Sequence, residues 1–69
     1  MTKKIHIEGM SCQHCVKHVR EALLELEGVK HVEVDLKEKL AVLEGEVSDD
    51  KIKTAIEDAG YDVVKIEVV

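Results

Sequence analysis

Proline, phenylalanine and tryptophan are absent from this 69-residue chain, and Tyr61 is its single aromatic residue. A core must therefore be assembled from Val, Ile, Leu and Ala, which suits two thin packed layers. Long apolar runs are also missing, so no segment is suited to span a bilayer. The start, Met1-Thr2-Lys3-Lys4, resembles a basic leader only briefly, because Ile5-His6-Ile7-Glu8 follows in place of an apolar stretch of secretory length. Clusters of Lys and Arg do not occur. The formal charge of −5, spread over interspersed acidic and basic residues, argues against nucleic acid, whose binding depends on cationic surfaces meeting phosphates. What remains is a cytoplasmic protein without direct membrane insertion. Its length allows one domain, residues 1–69, near the lower limit for a core that folds without staples.

Cysteine is scarce as well, and its placement organises the rest. The only two, Cys12 and Cys15, lie in Gly9-Met10-Ser11-Cys12-Gln13-His14-Cys15, where a strand-like run gives way to a helical one. In a reducing compartment such a pair is more often metal-binding or redox-active than a structural disulfide. Two thiolates three positions apart in a turn entering a helix can converge on one ion, and soft sulfur ligands favour Cu(I). The positive end of the helix dipole and its unpaired N–H groups favour thiolate over thiol. A thioredoxin-like thiol–disulfide oxidoreductase is the rival from another class. It is disfavoured because a chain without proline has no proline between its cysteines and no cis-proline loop. No acidic pair, nucleophile with its base, or phosphate-binding loop is present, so the chain reads as a binding protein and not as an enzyme.

Around this motif the pattern alternates between strand and helix periods. Ile5 and Ile7 share one face of a strand over residues 3–8. Val16, Val19, Ala22, Leu23 and Leu26 follow at helical spacing from Gln13 or His14 to Glu27, with Gly28 placed as a stop. Cys15 shares the apolar side and should be partly buried, leaving Cys12 the more exposed thiol. Val29–Leu36 reads as a strand with Val32, Val34 and Leu36 inward, and Lys37-Glu38-Lys39 as a charged turn. In the next strand, Leu40 to Glu44, Leu40/Val42 and Ala41/Leu43 compete for the inner face, and the reading places Leu40 and Val42 inside. Ser48 before Asp49 and Asp50 is N-cap and first-turn chemistry for a helix carrying Ile52, Ala55, Ile56 and Ala59, which Gly60 stops. The last strand, from Asp62, opposes Val64, Ile66 and Val68 to Val63, Lys65 and Glu67. This order predicts an α+β fold, the ferredoxin-like βαββαβ sandwich, with two helices on one face of a four-stranded antiparallel sheet. Strand one then lies beside strand four, which brings Gly60-Tyr61 next to the cysteine loop and makes Tyr61 a neighbour of the metal.

Three other residues compete for roles at the site. Met10, just before the helix, packs as a staple on the first turns more readily than it serves as a thioether ligand. His14 and His18 read as solvent-facing, and His18 would be the one to join the site if the metal were zinc. His6 and His31 fall on outward strand positions.

Gly9-Met10-x-Cys12-x-x-Cys15 between strand one and helix one, in a chain of this length and element order, resembles the heavy-metal-associated domain family, and within it the small bacterial copper chaperones. Asp58-x-Gly60-Tyr61-Asp62 resembles them too, although the segment from Leu40 to Val47 is shorter here. The resemblance implies Cu(I) held by Cys12 and Cys15, a packed Met10, and Tyr61 beside the metal loop. It also implies transfer of copper to the metal-binding domain of a copper-transporting P-type ATPase. A copper-linked homodimer is a further expectation, since two such sites could share the metal. Within the same fold the alternatives are an excised ATPase domain and a Zn(II) or Hg(II) carrier. Zinc-transporting relatives often carry an acidic residue where this chain has Ser11, and mercury carriers are exported.

Overall fold

A computed structural model describes residues 2–69. The described residues form, in order, β1 (Thr2–Glu8), α1 (Gln13–Leu24), β2 (Val29–Asp35), β3 (Leu40–Gly45), α2 (Asp49–Asp58) and β4 (Asp62–Val68). The strands make one antiparallel sheet in the order β2-β3-β1-β4, as the ferredoxin-like reading requires. Apolar side chains of the inner sheet face and of the helices interlock between the two layers. Ile5, Val19, Leu23, Leu43, Ile52 and Ile56 are the largest of its fully buried side chains, and each contributes roughly 1.5–3 kcal/mol by leaving water.

The face that β3 turns inward is the opposite of the one expected. Ala41 and Leu43 are buried, whereas Leu40 and Val42 lie half-buried on the outer face. The cause is the pairing. Ala41 stands opposite both Ile5 and Val34, and Leu43 opposite Lys3 and Val32; directly opposed residues share a face, so the neighbouring strands decide between two locally equal alternations. In β4 the simple alternation also fails. Ile5 pairs with Ile66 and His6 with Lys65, but Ile7 pairs with Val63, leaving Val64 as the extra residue of a bulge. Val63 and Ile66 therefore both pack on the core, and Val64 and Val68 are exposed.

Helix α1 ends at Leu24, short of the expected Glu27. Its last turn tightens, with the Leu26 amide donating to the Leu23 carbonyl in a three-residue step. Leu26 still packs against the core, so the apolar period outlasts the helix. Helix α2 matches its local signals: the Ser48 hydroxyl accepts from the Lys51 amide, and Asp49 and Asp50 occupy the first turn. At the end of the sandwich away from the cysteines, Lys3 lies on the inner side of β1 and ties off the layers. Its ammonium donates to the Val47 carbonyl at 2.9 Å and to Asp49 at 2.6 Å. There too Gly45, at φ +144°, passes so close to Gly28 that a Cβ would overlap the Gly28 carbonyl oxygen.

Candidate metal centre

The loop between β1 and α1 carries the cysteines to the rim of the sandwich. Met10 is buried among the core residues, with 3 % of its surface exposed, and anchors the loop from below. Gly9 adopts φ +101°, and a Cβ there would meet the Tyr61 ring at 3.4 Å, so the loop and the start of β4 close on each other where only glycine fits comfortably. Cys12 is the N-cap of α1, in extended conformation. Its carbonyl accepts from the amides of Cys15 and Val16 at 3.1 and 3.2 Å, while its side chain does not cap the helix. The thiol of Cys12 is thereby left to face solvent, and Cys15, nearly a full turn on, is half-buried.

Both cysteines are free, with their sulfurs 3.6 Å apart. An ion about 2.3 Å from each, an ordinary metal–thiolate length, would see them at an angle of roughly 100°. That angle is far from linear and leaves positions open on the solvent side. The Cys15 thiol is lowered from the ordinary range to about 6, first by the backbone of Ser11, then by a hydrogen bond from the Tyr61 hydroxyl and another from Cys12. At neutral pH Cys15 is therefore a thiolate, the form that binds metal. The same contact pushes the Tyr61 phenol up to about 12, because its proton is held by the ionised sulfur.

Of the residues singled out from the sequence, the fold thus brings Cys12, Cys15 and Tyr61 together and sets Met10 in the core. His14 and His18 are exposed on α1. Among the described residues no three His, Cys, Asp or Glu side chains gather into a metal cluster, so His18 does not complete the cysteine pair. Ser11, set apart in the sequence only as the position where zinc-transporting relatives often carry an acid, also acts on Cys15. Its contribution is a backbone group, which any residue type supplies, so no sequence signal marks it.

Comparison with known proteins agrees with this geometry. The family model for the heavy-metal-associated domain matches residues 4–62. A copper chaperone CopZ from Staphylococcus haemolyticus is 47 % identical over 66 residues, covering 91 % of this chain and 97 % of that protein. Among solved structures, a CopZ metallochaperone superposes with a TM-score of 0.89 at 37 % identity, over 93 % of this chain and all of the other. A copper-binding domain from HMA7, a P-type ATPase, superposes with a TM-score of 0.86 at 31 % identity, over 99 % of this chain and all of that domain. With its cysteine pair at the rim of the same sandwich, this chain belongs to the heavy-metal-associated domain family.

Proposed function

We propose that this protein is a cytoplasmic copper chaperone that binds Cu(I) through Cys12 and Cys15 and delivers it to the metal-binding domain of a copper-transporting P-type ATPase. The observation that carries the reading is the pair of free sulfurs 3.6 Å apart on an exposed loop. Cu(I) prefers soft thiolates over the imidazole and carboxylate ligands available elsewhere. Two protein ligands leave the ion open to a third sulfur from a partner, so copper passes through a shared intermediate and is not released to water. A structural zinc site would instead close its shell with four protein ligands. Tyr61 supports the site from the side, holding the Cys15 thiolate by its hydroxyl and covering the loop with its ring. The likeness to copper chaperones and to an ATPase copper-binding domain supports both the cargo and the recipient. Docking uses the loop, the first turns of α1 and the end near Tyr61, and the same open position permits a copper-linked homodimer. The chain acts as a carrier, not as an enzyme.

The test is an anaerobic titration of the reduced protein with Cu(I) against a strong chelator, with Zn(II) in parallel. One-to-one Cu(I) binding that survives the chelator and vanishes in the Cys12→Ser/Cys15→Ser double variant is expected. Weak Cu(I) binding beside tight Zn(II) binding would overturn the copper assignment. Mixing the loaded protein with a P-type ATPase metal-binding domain then reads transfer directly, and copper that stays on this chain would remove the delivery step.

A further inference from the structure

The chain has four histidines, and they fall into two pairs of different character. His6 and His31 stand on the outer sheet face and are engaged, His6 with Glu67 at 2.8 Å and His31 with Glu33 at 3.2 Å. His14 and His18 lie on α1, both exposed, and neither has an ion-pair or side-chain hydrogen-bond partner among the described residues. They are four residues apart within one helix, so their Cβ atoms are about 5–6 Å apart on adjacent turns. The side they occupy is exposed, whereas Val19 and Leu23, on the far side of the same helix, are buried in the core. We propose that His14 and His18 form a second metal site, separate from the cysteine pair, that takes a divalent cation of borderline softness through its two imidazoles.

The argument is one of ligand geometry and ligand chemistry. Two imidazoles one helical turn apart on the same face can swing to one ion at about 2.0–2.1 Å without moving the backbone, the arrangement that HExxH helices use for zinc. Imidazole suits Zn(II), Ni(II) and Cu(II), whereas the thiolate pair selects a softer ion. Two turns of one helix thus carry two sites that discriminate by softness. Among the described residues no third His, Cys, Asp or Glu side chain joins them, so water completes the shell. The site is therefore exchangeable and weaker than a closed four-ligand one. Because it bridges two turns, the ion fastens the start of α1, where Cys12 supplies no side-chain cap.

The test uses the Cys12→Ser/Cys15→Ser double variant, in which the thiolates no longer compete, titrated with Zn(II) while the imidazole signals are followed by NMR. The His14 and His18 signals should move together along one saturation curve, with His6 and His31 still and Mg(II) without effect. His14→Gln or His18→Gln in the same background should weaken binding about tenfold or more, and Zn(II) should raise Tm only where both histidines are present. Two signals that move with separate constants, or single substitutions that leave the affinity intact, would overturn the proposal. Its failure leaves the Cu(I) reading of the cysteines untouched, and loss of that reading leaves this one standing.

Discussion

The two helices begin in opposite ways. Helix α2 starts as a stable helix should: the Ser48 hydroxyl satisfies an orphan amide, and Asp49 and Asp50 meet the positive end of the dipole. Helix α1 starts with Cys12 at the N-cap, no side-chain cap and no acidic residue in its first turn. The unpaired amides and the dipole that α2 neutralises internally are, in α1, left facing a sulfur pair. Stability has been given up at one helix start and kept at the other, and the deficient one is where the candidate metal loop sits. Unspent positive potential favours a thiolate over a thiol beside it; a helix whose work is to bury Ile52 and Ile56 has no such use for it.

Making α1 resemble α2 should break the contrast most severely. In Cys12→Ser the hydroxyl becomes a normal N-cap, so the apo protein should gain up to about 1 kcal/mol in urea unfolding while Cu(I) affinity falls by orders of magnitude in chelator competition. A variant that loses stability, or keeps its copper, would show that the N-cap position is not reserved for the ion. Damage to α2 should do the reverse. Ile56→Ala opens a cavity in the core and should cost about 2–5 kcal/mol in the same unfolding measurement, with Cu(I) affinity of the folded fraction unchanged. Ser48→Ala is a smaller version, removing the α2 cap at a cost of about 1 kcal/mol and leaving the metal loop as it was.

The smallest effect concerns the charge on Cys15. Its thiol is an acid whose folded value, about 6, lies below the unfolded value of roughly 8.5. The stabilisation it provides is therefore fully present above the unfolded value and is lost as pH falls through about 6. Alkylation of Cys15, followed by tandem mass spectrometry to separate it from Cys12, should show an inflection near that lower pH. Tyr61→Phe removes one hydrogen bond to the thiolate and should move the inflection upward only in part, since the Ser11 backbone, the larger influence, remains. An unmoved inflection would mean that the tyrosine only covers the loop.

The same contrast explains what could be read early. Helix α2 was legible to within a residue because its cap, its acidic turn and its Gly60 stop are neighbours in sequence. The strand order and the meeting of Tyr61 with the cysteine loop were legible too, since β-α-β-β-α-β leaves a sheet with β1 beside β4. The C-terminal end of α1 was not, because Leu26 continues the helical period while its amide already bonds three residues back to Leu23. In β4 the bulge at Val64 answers to the pairing with β1, which no local pattern encodes.

Local chemistry by itself determined which segments form strands and helices, where Cys12 and Cys15 fall relative to the start of α1, and that the core is aliphatic. Those properties depend on neighbours a few positions away. Tertiary structure decided which face of β3 is buried, because Ala41 and Leu43 are chosen by Ile5, Val32 and Val34 across the sheet. It also decided the ionisation of Cys15, through a Ser11 backbone group turned back toward the sulfur and a Tyr61 hydroxyl from the far end of the chain. Register depends on strands distant in sequence, and the Cys15 pKa on one distant group, the Tyr61 hydroxyl, added to the nearby Ser11 backbone; only the folded chain brings those distant groups within a few ångströms.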